Sequence, residues 1–184
     1  MTLTKTPICN FGEKAKDFKL RGIDQKIYSL NDFKGENGTL IMFICNHCPY
    51  VKAVINDIVQ DCKRLEKKGI KSVAIMSNDQ KNYPEDSFKN MIEFSKENKF
   101  NFPYLIDETQ EIAKAYEAVC TPDFFGYNKN LELQYRGRIR ELKDLRPITN
   151  NDSDLLKAME LIAKTDKGPK DQIPSMGCNI KWFN

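Results

Sequence analysis

Two hydrophobic periods alternate along this chain. Leu40-Ile41-Met42-Phe43-Ile44 is a continuous apolar run, which predicts a central strand buried on both faces. Beyond it Val51, Val54, Ile55, Ile58, Cys62 and Leu65 recur at spacings of three and four, the stripe of an amphipathic helix that stops at Gly69. Residues 71–76 predict the next buried strand. The alternation then repeats, with a helix opened by Glu85 or Asp86 and carrying Phe88, Met91, Ile92 and Phe94 on its apolar side, a strand over 102–106, and a short helix capped by Thr109 with Ile112, Ala113 and Tyr116. Residues 124–127 and 131–135 flank Asn128-Lys129-Asn130 as a hairpin, and Leu155, Met159 and Ile162 mark a last helix capped by Asn151 or Asp152. Ahead of all this, Asp17-Phe18-Lys19-Leu20 alternates as a strand, turns at Gly22-Ile23-Asp24 and pairs back through Ile27 and Tyr28. Ser29 then caps a helical turn over 30–33 that Gly35 ends. Strands alternating with helices, then a hairpin, then a helix imply an α/β fold layered about a mixed central sheet.

The 184 residues fit one domain spanning 1–184, with the Pro- and Gly-containing tail over 168–184 packed on it. A chain of this length buries a core without needing disulfides. Lys and Arg number 29 against 26 Asp and Glu, too even a balance to mark a nucleic-acid partner or an anionic membrane surface. The first eleven residues hold no apolar core of a secretory signal, and no apolar run approaches a membrane span. The six cysteines, at 9, 45, 48, 62, 120 and 178, are irregularly spaced. A cytoplasmic, reducing location is therefore expected, where a close Cys pair is catalytic or metal-binding rather than structural.

The pair is Cys45-Asn46-His47-Cys48-Pro49, set between the buried strand and the helix. The first turn of a helix has unpaired N–H groups and a positive dipole end, both of which favour a thiolate. A dipole contribution of up to about 2 kcal/mol would bring a free thiol from about 8.5 to about 7. A protonated His47 would lower it further, making the pair more oxidising. Pro49 suits a position that needs no helical N–H. A second element, Val119-Cys120-Thr121-Pro122, precedes a strand. There a cis X–Pro bond is expected, with the preceding backbone free to pair with an extended substrate segment.

Cys45 and Cys48 after a central strand, with Thr121-Pro122 some seventy residues on, resemble the thioredoxin-like superfamily. Residues 12–20 and 28–35 are similar to its redoxin (AhpC/TSA, peroxiredoxin-like) branch. Residues 45–53, 77–79, 83–86, 102–105, 120–125, 135–138 and 174–182 are similar to an uncharacterised peroxiredoxin-like subgroup with a Cys-x-x-Cys motif. The resemblance implies a thioredoxin-like three-layer α/β/α sandwich with a mixed central sheet and an N-terminal β-hairpin extension. It also implies redox chemistry at cysteine. In the peroxiredoxin motif Pro-x-x-x-Thr-x-x-Cys, Cys48 takes the place of the peroxide-attacking cysteine. Here the Thr place holds Cys45 and the Pro place Ile41, and Arg136 or Arg138 stands as candidate for the usual active-site cation.

The expected function is a thiol–disulfide oxidoreductase or thiol peroxidase with antioxidant activity, cycling Cys45 and Cys48 through an intramolecular disulfide. His47, Thr121 and Pro122 are expected in support. Its partners would be a disulfide-containing protein or a peroxide, and a thiol reductant; no cofactor or metal is required. Either order of attack is open, Cys45 first in the thioredoxin manner or Cys48 first in the peroxiredoxin manner. The alternative is a non-enzymatic module that holds Cu(I) or senses redox state. Cys62 lies on the apolar helix face and reads as core. Cys120 reads as a core thiol or a third redox thiol, and Cys178 as part of a packed strap or a resolving thiol. Cys9 receives no role, and the basic stretch from Arg136 to Arg146 reads as a solvated face.

Overall fold

The strand over the apolar run forms because its two faces serve two cores. In a computed structural model that describes residues 2–183, β4 (Gly38–Phe43) is buried along its whole length. Leu40 and Met42 pack with one cluster, and Ile41 and Phe43 with the other. This period of two, apolar on both sides, is that of a strand between two layers.

The chain runs β1 (Leu3–Lys5), β2 (Lys19–Gly22), β3 (Ile27–Ser29), β4, α1 (Pro49–Glu66), β5 (Ile70–Met76), α2 (Phe88–Glu97), β6 (Tyr104–Ile106), α3 (Glu111–Ala115), β7 (Cys120–Thr121), β8 (Asp123–Tyr127), β9 (Leu133–Tyr135), β10 (Leu142–Lys143), β11 (Arg146–Pro147), α4 (Asp154–Thr165) and β12 (Met176–Asn179). A mixed seven-stranded sheet has the order β3-β2-β6-β5-β4-β8-β9. β4, β5 and β6 run parallel, and the other pairs are antiparallel. One face carries the apolar stripes of α1 and α4; the other carries Ala113 of α3 with Phe18, Leu30 and Phe33. The expected mixed α/β architecture with its N-terminal hairpin is present.

Several local expectations need correcting. α2 is capped by Ser87, whose Oγ accepts from Asn90 N, and not by Glu85 or Asp86. Ile92 on that helix is exposed. α4 is capped by Ser153, not Asn151 or Asp152. Gln110, in the left-handed region, precedes α3 in place of Thr109. The N-terminus adds a strand that the pattern did not reveal. β1 pairs with β12, and β12 with β7, in a separate three-stranded sheet. Within the C-terminal stretch, Met176–Asn179 thus joins the body as a strand, and Cys9 packs against the second core.

Candidate active site

The apolar run delivers Cys45 to the top of β4, and Pro49 starts α1 directly after Cys48. Cys48 is the residue before the first helical position, and its carbonyl accepts the Lys52 N–H at 3.0 Å. Cys45 precedes it in the loop, so only one of the two sulfurs sits at the helix end, where both were expected. The two thiols nonetheless face one residue, Thr121, and each bears on the other's charge. Both lie inside the protein, with Cys45 1% and Cys48 0% exposed.

Thr121 holds the pair from the other side. Its hydroxyl lies 3.3 Å from Cys45 Sγ, and its carbonyl oxygen lies 3.1 Å from Cys48 Sγ, accepting from it while that thiol is protonated. The Thr121–Pro122 bond is cis. Cys178 completes the group, with its Sγ 3.1 Å from Cys48 Sγ. Sulfurs in such contact titrate as a unit. The cluster favours one anion on Cys48: hydrogen bonds from Cys45 and Cys178 and the N–H groups of Val51 and Cys178 outweigh burial and push it down to about 5. Burial first, then the hydrogen bond to Cys48 and the charge of Asp86, holds Cys45 well above the ordinary thiol value. Burial likewise pushes Cys178 up to about 12.

His47 does not face the thiols as an isolated cation. Its Nδ1 lies 2.6 Å from Asp86 Oδ2, and its ring stacks on Tyr83 at 5.8 Å between centroids. The hydrogen bond to Asp86 raises the imidazole above its ordinary value. Asp86, fully buried, also accepts from Asn46 N at 2.8 Å, His47 N at 3.3 Å and Asn78 Nδ2 at 2.8 Å. One carboxylate thus clamps both residues between the cysteines. Tyr104 Oη donates to Asn46 Oδ1 at 3.0 Å, adding a second anchor. Asp86 and Tyr104 carried no signal of this role in sequence. Asp86 stands in a helix-capping context, and the contact spans about forty positions.

The remaining candidates lie elsewhere. Arg136 is buried and committed to Asp123, Nη2 to Oδ2 at 3.0 Å, and to the Glu117 carbonyl at 2.7 Å, with its guanidinium over the Phe125 ring. Its donors are directed to these oxygens rather than to a sulfur. Arg138 pairs with Asp154 at 2.8 Å and lines a groove of about 530 Å³ that opens beside Tyr50 and Pro122. The cysteines do not line that groove. Cys120 is buried, its thiol donating to Pro122 O at 3.7 Å, and burial raises it. Cys62 sits in the core beneath α1.

A metal would find Cys45, His47 and Asp86 with donor atoms within 4.8 Å of one another. That set mixes a soft sulfur with a hard carboxylate, closer to zinc than to Cu(I) preference. His47 and Asp86 already satisfy each other there. No helix among the described residues is long and apolar enough to cross a membrane.

Residues 11–142 match the AhpC/TSA family. The crystal structure of an uncharacterized conserved protein from Geobacillus kaustophilus is 40% identical, covers 100% of this chain and 97% of its own, and superposes with a TM-score of 0.91. A hypothetical protein from Sinorhizobium meliloti 1021 is 34% identical, with 98% of each chain covered and a TM-score of 0.90. At 18% identity, the thiol:disulfide interchange protein of the thioredoxin family from Chlorobium tepidum TLS shares the fold, with a TM-score of 0.64 over 83% of this chain and 97% of its own. No curated protein matches the sequence.

Proposed function

The chain belongs to the AhpC/TSA family, and on that premise we propose that it is a thiol–disulfide redox enzyme working through Cys45 and Cys48. The observation that carries this reading is the convergence of both thiols on Thr121 beside the start of α1, its hydroxyl 3.3 Å from Cys45 Sγ and its carbonyl oxygen 3.1 Å from Cys48 Sγ. A sulfur at a helix N-terminus is held as the nucleophile, and a second sulfur in contact with it closes the disulfide.

The geometry favours Cys48 as the attacking sulfur. Its thiolate is stabilised by neighbouring donors, whereas Cys45 keeps its proton. With a hydroperoxide, Cys48 attacks the outer oxygen, the O–O bond breaks, an alcohol leaves and Cys48 becomes a sulfenic acid. Cys45 then displaces water to form the disulfide. With a disulfide substrate, Cys48 forms a mixed disulfide and Cys45 releases the substrate thiol. An external thiol reductant restores the pair in both cases. Because both sulfurs are buried, a small oxidant reaches them more readily than a protein disulfide. No cofactor is needed for these steps.

Oxidation of the reduced protein with one equivalent of hydroperoxide is expected to yield a species 2 Da lighter that carries a Cys45–Cys48 linkage and that dithiothreitol reverts. Intact-mass analysis with non-reducing peptide mapping reads it. A protein that resists oxidation, yet takes up one Cu(I) per chain without catalysing reduction of a hydroperoxide or of insulin, would instead be the metal-holding module.

A further inference from the structure

The sequence leaves the backbone before Pro122 open for an extended substrate segment. The structure fills that edge with the chain's own tail: β12 pairs antiparallel with β7, Cys178 opposite Thr121 and Asn179 opposite Cys120. Seated there, the tail presents a cysteine to the pair as a bound substrate segment would. Resting on the redox reading above, we infer that Cys178 is a third exchange thiol: the Cys45–Cys48 disulfide passes to Cys48–Cys178, with the C-terminal strand as resident substrate.

The contact is direct. Cys178 Sγ lies 3.1 Å from Cys48 Sγ, so closing to a bond of about 2.05 Å takes about 1 Å of movement. Cys178 is 3% exposed, so its nearest redox partner is inside the protein and not in solvent.

The strand is held on both sides of this cysteine. Before it, Ser175 Oγ donates to Pro122 O at 2.7 Å. After it, Lys181 N donates to Asn78 Oδ1 at 2.9 Å, and Lys181 O accepts from Asp79 N and Gln110 Nε2, each at 2.8 Å. Between these anchors Gly177 passes so close to β7 that a Cβ would stand 2.0 Å from Thr121 O. A buried cysteine serving only as a small apolar filler would need neither this register nor a sulfur neighbour.

The exchange is balanced within the chain. Cys178 gives up its proton and attacks Cys48 Sγ; the Cys48–Cys178 bond forms and the Cys45–Cys48 bond breaks. The electron pair leaves on Cys45 Sγ, which takes the proton. No outside oxidant or reductant enters, and the chain stays at the same oxidation level. The result is a restored Cys45 thiol and a tail covalently pinned to the active site.

The test is non-reducing peptide mapping of the full chain after one equivalent of hydrogen peroxide, acid quench and alkylation. The expected wild-type result is a Cys48–Cys178 peptide in at least a tenth of the oxidised chain, appearing after Cys45–Cys48. In Cys45→Ser, where the disulfide to position 45 cannot form and Cys178 instead displaces water from the Cys48 sulfenic acid, it becomes the main product. In Gly177→Ala its yield drops about tenfold while Cys45–Cys48 persists. Oxidised protein with Cys45–Cys48 alone, and no Cys48–Cys178 linkage in Cys45→Ser, overturns the relay and leaves the redox reading standing. Failure of both linkages to form overturns both. An undiminished yield in Gly177→Ala overturns the part given to the β7–β12 register.

Discussion

Serine at position 48 is expected to lower turnover roughly a thousandfold or more, to the uncatalysed background, while serine at position 45 leaves the first chemical step intact. The asymmetry follows from where the negative charge resides. Cys48 has the helix end, the Cys45 and Cys178 thiols and two backbone N–H groups to hold its anion. Cys45 faces burial and the charge of Asp86. A serine hydroxyl at 48 is not ionised at neutral pH and cannot attack. Mixed with hydroperoxide in the absence of reductant, Cys45→Ser should consume one equivalent in a burst and Cys48→Ser none. The pH profile is a second reading. Since the Cys48 thiol is pushed down to about 5, the burst rate should be level across neutral pH and fall to half near pH 5 as the thiolate is protonated. A burst in Cys48→Ser but not in Cys45→Ser would reverse the order of attack, and full turnover in both would remove the dithiol from the mechanism.

What the sequence made legible was whatever lies within one or two adjoining elements. The apolar run and the stripe after it placed β4 and α1. The Cys-Asn-His-Cys segment between them needed no distant information. The finer arrangement did. That Cys48 alone occupies the helix end, with Cys45 a few residues ahead of it, depends on the start of the first turn, which spacing alone cannot set. Asp86 stands among Glu85, Asp86 and Ser87, three residues that all suit the start of a helix. Ser87 takes that place and releases Asp86 to the buried loop. The C-terminal strand was hidden for a different reason. Met176-Gly177-Cys178-Asn179 shows no alternation, and its partner β7 is only two residues long. Its position comes from backbone pairing with β1 on one side and β7 on the other, which hydrophobic patterning does not report. Arg136 was misjudged because a basic residue is read by default as solvated; its buried partner Asp123 lies on the neighbouring strand.

The clamp supplies the second large effect. Asp86→Ala is expected to cost roughly 3–5 kcal/mol of folding stability, the usual result of breaking a buried charged pair from one side. The change leaves Asn46 N and Asn78 Nδ2 without their acceptor in a buried site and removes the partner of His47, whose side chain is 14% exposed. Urea unfolding measures it, and an unchanged midpoint would mean that Asp86 is not the clamp. Asp86→Asn tests the charge separately. His47 is the one histidine in the chain, so its titration can be followed by NMR without assignment of others. In the wild type its value is raised, first by the hydrogen bond to Asp86, so the amide should bring the midpoint down. The sign for stability follows from the direction of that shift. A raised folded value means that the pair contributes fully below the unfolded value of about 6.5, and that this contribution is lost as pH rises through the higher folded value. Wild type should therefore lose stability relative to Asp86→Asn across that window, and identical pH dependence in the two proteins would show that the imidazole is not charged against Asp86. The same carboxylate fixes Asn46 and His47, the two residues that set the path from Cys45 to Cys48. Loosening it should separate the sulfurs, so Asp86→Ala should also slow closure of the Cys45–Cys48 disulfide even under conditions where the variant remains folded.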